Sequence, residues 1–207
     1  HRESVSARFG LAISLVGLPD KDYKAVLEAL QPLAERSDFP DRPLALYYLG
    51  AAHRGLAEQG FTQAEGKPPE EAKRLRAAAA DRMEQAARSF AMAAGALAAR
   101  LKALPAGADP TVDNEWLTQA QADHRDMLLR TGKFKEAADA AAAFLANPSM
   151  AKSRNRDLAM YQQGYTAFAL GDNLAAGRAL SQLAPFQQEF GGHARYLLGR
   201  SHHMAGE

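Results

Sequence analysis

The near absence of β-branched side chains constrains this chain most. It carries one isoleucine, four valines and five threonines in 207 residues. A sheet needs branched side chains to cover its pleated faces, so an all-β fold or a doubly wound parallel sheet is all but excluded. Their place is taken by 45 alanines and 25 leucines, the residues that lose least on entering a helix. The chain is expected to be all-α, and enzyme classes built on a parallel sheet lose their scaffold.

Charge and chemistry narrow the field further. The 25 basic and 24 acidic residues nearly cancel, which leaves no nucleic-acid footprint. The longest small apolar run, Ala91 to Ala99, is too short to cross a bilayer, so no membrane insertion is expected. The lack of cysteine excludes disulfides, cysteine-zinc sites and thiol catalysis. It leaves the compartment open between cytoplasm and periplasm. No leader peptide is legible, and the start at His1 rather than Met is read as a trimmed N-terminus. Abundant alanine, with 17 arginines against 8 lysines, fits a GC-rich bacterial genome.

Periodicity and punctuation predict about nine helices. They span Ser4–Gly17, Lys21–Glu35, Leu44–Gln59, Glu70–Leu104, Glu115–Arg130, Lys133–Ala146, Lys152–Leu170, Asn173–Leu183 and His193–Ala205. Gly60–Pro69 and Pro105–Asp113 read as loops. Thr111 or Asp113 can cap the helix after the second loop. Short connections elsewhere imply antiparallel neighbours.

The chain also repeats itself. Tyr47, Gly50 and His53 recur at the same offsets as Tyr196, Gly199 and His202, and Tyr161 with Gly164 repeats the first two. Gly164 and Gly199 are 35 residues apart, as are Gly171 and Gly206. Turn signals recur at Lys21-Asp22-Tyr23, Gly132-Lys133-Phe134 and Gly171-Asp172-Asn173. Helices with apolar residues spaced by four and then three carry Ala86, Phe90 and Ala93; Ala137, Ala141 and Phe144; and Ala176, Leu180 and Leu183.

On these residues the chain resembles the tetratricopeptide repeat family, which repeats a helix-turn-helix unit of about 34 residues. The small crossing residue of its first helix is matched by Gly50, Gly164 and Gly199. Its turn glycine is matched by Gly132, Gly171 and Gly206, and its closing proline by Pro148. The resemblance implies one repeat domain over 1–207, an α-solenoid of antiparallel helix hairpins in a right-handed superhelix. Its units would be 4–37, 41–104 with 60–69 inserted, 113–148, 152–187 and an incomplete 192–207. Further repeats or domains are then expected beyond Glu207, since a solenoid needs a polar cap. The first unit has three extra residues near its turn, and Arg125 stands where the family has glycine. Other α-solenoids stay open for the front half.

Enzyme signals are weak. The zinc-protease, phosphate-loop, dinucleotide and nucleophile-elbow motifs are missing from the sequence. His202 and His203 are adjacent, so on a helix they point about 100° apart and do not converge on one metal ion. His202 is expected to pack as His53 does, with His203 on the surface. Asp123-His124-Arg125-Asp126 reads as a solvated, salt-bridged stripe. Glu70 and Glu71 before Lys73, Arg74 and Arg76 read as a helix start with a Glu70–Arg74 pair. No catalytic residue, metal or cofactor is expected.

The resemblance implies a concave surface lined by the first helices of successive units. Its exposed positions lie three before, one after and four after the crossing residue. They fall on Tyr47, Ala51 and Arg54; on Tyr161, Tyr165 and Phe168; and on Tyr196, Arg200 and His203. Tyrosine and arginine dominate binding hot spots, because a tyrosine offers a large apolar body with a polar tip. The same tyrosines could instead pack between units, and both readings stand at this point. The subclass that clamps a C-terminal carboxylate with Lys and Asn is not matched. The expected function is a protein-interaction scaffold that binds a peptide or partner domain. A structural spacer within a larger protein and, more remotely, a regulatory module of an enzyme are the alternatives.

Overall fold

The computed structural model describes residues 2–206, with side chains from Ser4 onward. Both ends of the chain, including the end of the incomplete last repeat at Glu207, lie outside the described residues. Nine α-helices and one short 3-10 turn account for the regular structure among the described residues, with no strand. The fold is all-α, as the scarcity of β-branched residues requires.

Two compact units divide the chain, His1–Met127 and Leu128–Glu207. The first holds α1 (Arg2–Gly17), α2 (Tyr23–Ala34), α3 (Arg42–Gln63), α4 (Pro69–Lys102) and most of α5 (Thr111–Arg130). Within it α1 packs on α2, α2 on α3 and α3 on α4. The second holds the last turn of α5, then α6 (Phe134–Ala146), a 3-10 turn at Pro148–Met150, α7 (Arg156–Ala169), α8 (Asn173–Ser181) and α9 (Gly191–Ala205). Each helix from α6 packs on the next, and α7 also meets α9.

The repeated turn signals fold as turns for a visible reason. After α5 the Lys133 N–H donates to the Leu128 carbonyl (2.8 Å) and the Gly132 N–H to Leu129 (3.1 Å). After α7 the Asp172 N–H donates to Ala167 (2.9 Å) and the Gly171 N–H to Phe168 (3.1 Å). This paired closure needs a left-handed residue, and Gly132 and Gly171 supply it with φ of 73° and 83°. The next helix then starts at once. Asp172 caps α8 through the Ala175 N–H (3.0 Å), and Asp22 caps α2 through Lys24 (3.1 Å) and Ala25 (3.0 Å).

Small residues set the helix spacing at two of the three expected crossings. A Cβ on Gly50 would lie 2.8 Å from the Phe90 ring, and one on Gly164 would lie 2.5 Å from Leu180 Cγ. Gly199 has nothing within 4 Å of that position, so it is not a crossing point among the described residues. Gly55 forms an additional close approach, with Tyr23 lying 2.2 Å from where its Cβ would be. The four-then-three spacings do face inward. Ala86, Phe90 and Ala93, Ala137, Ala141 and Phe144, and Ala176, Leu180 and Leu183 are all buried.

Three local expectations are corrected. α3 continues through Gly60 to Gln63, so the connection to α4 is shorter than Gly60–Pro69. Asp109 folds the turn before α5 by accepting from the Thr111 N–H (2.9 Å) and hydroxyl (2.6 Å), while Asp113 holds Arg100 Nε (2.7 Å). Near the start of α4 the ion pair is Lys67–Glu71 (3.4 Å) rather than Glu70–Arg74.

Candidate functional site

The eight residues picked from the repeat divide between the two units. Tyr47 and Arg54 lie on α3 in the first. Tyr161, Tyr165 and Phe168 on α7, with Tyr196, Arg200 and His203 on α9, lie in the second.

In the first unit α5 engages both residues. The Tyr47 hydroxyl donates to Asp123 (2.8 Å), and Arg54 donates to the other oxygen of the same carboxylate (2.7 Å). Gln119 Nε2 donates a third hydrogen bond to Asp123 (3.1 Å). The Tyr47 ring meets Trp116 edge-on at 5.0 Å and Phe90 at 5.3 Å, and the Arg54 guanidinium lies 5.5 Å from the Phe90 ring. Burial, then the charge of Asp123 and its hydrogen bond, pushes the Tyr47 hydroxyl well above the ordinary tyrosine range.

Asp123 is therefore not part of a solvated stripe. It is 8% exposed, and Arg125 beside it is 1% exposed. Burial lowers the Arg125 pKa to about 10. A carboxylate that accepts three hydrogen bonds and faces a cation tolerates burial. Helical periodicity gave no sign of it, because the tyrosine and arginine partners sit some 70 residues upstream.

In the second unit Tyr161, Tyr165, Tyr196 and Arg200 come together through two residues that sequence reasoning missed, Phe190 and His193. Tyr161 stacks at a tilt on Phe190 (4.8 Å), and Tyr161 and Tyr165 lie 6.3 Å apart along α7. His193 sits between the helices. Its ring is 5.9 Å from Tyr161, 6.1 Å from Tyr165 and stacked on Tyr196 at 6.2 Å. The Tyr161 hydroxyl and His193 Nδ1 share a 2.6 Å hydrogen bond. Phe134 extends the row past Tyr165 (6.3 Å). Arg200 completes it, donating to the Tyr196 hydroxyl (3.0 Å) with its guanidinium 5.9 Å from that ring.

The segment between α8 and α9 positions the missed pair. Gln188 Nε2 donates to Asp157 on α7 (2.8 Å) and to the Leu183 carbonyl (3.4 Å). Gly191 lets the chain pass so close that a Cβ there would lie 2.1 Å from the Phe186 carbonyl oxygen. Phe190 and His193, flanking this bend, are thereby carried onto α7. The only sequence signal for it was Gly191-Gly192, which marks a bend but not its direction.

The row is open on its outer side. Tyr196 is 56% exposed, and His193, Arg200 and His203 are exposed. Phe168 lies outside the row, half-buried against the Leu180 and Leu197 core. His203 is on the surface as expected, but His202 is exposed rather than packed like His53. No group of three metal-ligating side chains occurs among the described residues, and no helix is long and apolar enough to cross a membrane. The second unit thus presents aromatic faces, imidazole and guanidinium groups suited to stacking and hydrogen bonding. The sequence matches no protein-family model, and no curated protein or solved structure is significantly similar to it.

Proposed function

We propose that the chain is a protein-interaction scaffold of the tetratricopeptide kind, with the aromatic row of the second unit as its contact surface. One observation carries this reading: Tyr161, Tyr165, His193, Tyr196 and Arg200 form a continuous, partly exposed row across α7 and α9. Tyrosine and arginine side chains held by one another lose little freedom on binding, which favours affinity. The ring faces suit aromatic or proline side chains of a peptide, and Arg200 suits a backbone carbonyl or carboxylate. The paired glycine turns at Gly132 and Gly171 and the crossing at Gly164 support a hairpin array as the scaffold.

An array of immobilised 12-residue peptides, enriched in aromatic and proline residues and probed with the whole chain, tests this. Selected peptides should lose at least tenfold in affinity to the Tyr196→Ala and Arg200→Ala variants. Absence of any selected peptide, or selection unchanged in both variants, overturns the reading. In the first unit Tyr47 and Arg54 are already held by Asp123 and Trp116. That favours a structural role for those two, and Arg54→Ala should leave peptide selection intact.

A further inference from the structure

A cavity of about 710 Å³ opens between α2 and α4, in the first unit and apart from the aromatic row. Its floor is α3, through the buried side chains Leu46, Leu49 and His53. Leu27 on α2 and Met92 on α4 add apolar walls, and Met92 is 52% exposed. The volume falls within the range of small-molecule sites, which are typically apolar with a few convergent polar groups.

The charged groups of this cavity are split between its walls, two arginines on α4 facing two glutamates on the side of α2. Arg82 and Arg88 line it from α4, and neither forms an ion pair with a carboxylate among the described residues. Arg82 donates to Gln85 Oε1 (3.0 Å) and to His53 Nδ1 (3.3 Å). A guanidinium can only donate, so Nδ1 accepts and the His53 ring is neutral with its proton on Nε2. Burial, reinforced by Arg82 and then Arg88, lowers the His53 pKa to about 4. The carboxylates that line the cavity, Glu28 on α2 and Glu35 just after its end, are exposed, and Glu35 accepts from Gln31 (3.0 Å). The α4 wall therefore offers two cations without a counter-charge beside a neutral imidazole. Next to the apolar floor, that wall favours an anion close to it, at a distance from the exposed Glu28 and Glu35.

We propose that this cavity binds a small amphiphilic monocarboxylate, its head on Arg82 and Arg88 and its hydrocarbon part along Leu27, Leu46, Leu49 and Met92. The apolar floor calls for the hydrocarbon part, and the two guanidiniums call for a planar acceptor that pairs with their N–H groups. Glu28 and Glu35 oppose a dianionic head, which makes the carboxylate a better fit than a phosphate monoester.

Calorimetric titration of the whole chain at pH 7.5 with octanoate, octanol and octylamine, all below their aggregation limits, tests the assignment. Octanoate should bind with one site per chain and at least tenfold more tightly than octanol, and octylamine should not bind. Arg88→Gln should weaken octanoate binding at least tenfold without moving the melting curve, because Arg88 is exposed and forms no ion pair among the described residues. Met92→Glu, at an exposed position, should abolish octanoate binding by placing a like charge at the mouth. No saturable octanoate binding, equal affinity for octanol, or octanoate affinity unchanged in Arg88→Gln and Met92→Glu would each overturn the proposal.

Discussion

At the scale of single residues, two glycines with the same sequence signature have opposite roles. Gly164 and Gly199 each follow a tyrosine by three positions. Leu180 sits where a side chain on Gly164 would go, whereas Gly199 faces open space. Gly164→Leu forces α7 and α8 apart or Leu180 off its rotamer, and should cost about 1–3 kcal/mol. Gly199→Ala removes a backbone-entropy penalty in a helix interior, and should stabilise by about 0.5–1 kcal/mol. Urea unfolding of the two variants separates them by sign. Loss of stability in Gly199→Ala would show that α9 is crossed there after all. His53 makes a second residue-scale prediction. Its pKa falls from the ordinary 6.5 to about 4 on folding. Between those values the unfolded chain holds a proton that the folded chain refuses. Stability therefore falls as pH falls through this window, by up to about 1.4 kcal/mol per unit. Comparing chemical unfolding at pH 7 and pH 5 with that of His53→Asn isolates the effect. The variant should lose that part of the slope, while Glu28, Glu35, Arg82 and Arg88 remain in place around it.

At the scale of elements, the helices were legible where alanine and leucine keep a regular spacing between glycine or proline stops. α6 and α8 begin within one residue of their expected starts, because Gly132 and Gly171 fix the turn before them. The end of α3 was not legible. Gly60, Phe61 and Thr62 are weak helix formers, and a glycine there reads as a stop. They stay helical because the bare Gly60 backbone lets Ala79 of α4 approach, its Cβ 3.1 Å from where a Gly60 Cβ would be. Packing outweighs local preference, and nothing local encodes the Ala79 approach. The aromatic row shows the same limit. Tyr161, Tyr165, Tyr196 and Arg200 follow from the repeat, but Phe190 and His193 join them through the bend at Gly191 and the Asp157–Gln188 bond, which no local pattern encodes. The revised α3 boundary also bears on where a protease can cut. Ala64, at the end of α3, is 1% exposed, and the turn it starts is short. By contrast, nearly every residue from Ala103 to Pro110 is exposed and non-helical. Cleavage needs backbone that can leave its bonds, so proteinase K should cut first within 103–110. First cleavage within 64–68 would mean that the end of α3 frays.

At the scale of the whole molecule, the chain is not uniform in how it holds itself together. The first unit relies on a polar lock at Asp123 as well as on a core of Ala57, Met83, Ala86, Ala87, Phe90 and Met127. The second is closed by apolar packing of Ala176, Leu180, Leu183, Ala194 and Leu197, with α7 touching both α8 and α9. All of these core side chains, both paired-glycine turns and the whole aromatic row lie within Leu128–Glu207. Leu128 must be kept, because its carbonyl accepts the Lys133 N–H that closes the first turn. A domain of this size sits near the lower limit for independent folding. At about 0.05 kcal/mol per residue, the low end for natural domains, it would retain about 4 kcal/mol. That is enough for a single cooperative transition, so Leu128–Glu207 expressed alone should give a helical circular dichroism spectrum and a sigmoidal urea curve. It should also keep any peptide binding of the parent chain, since every proposed contact residue is on it. A broad, non-cooperative curve would mean that the second unit needs the first to complete its core. A cooperative fold that has lost binding would instead place the contact surface outside the aromatic row.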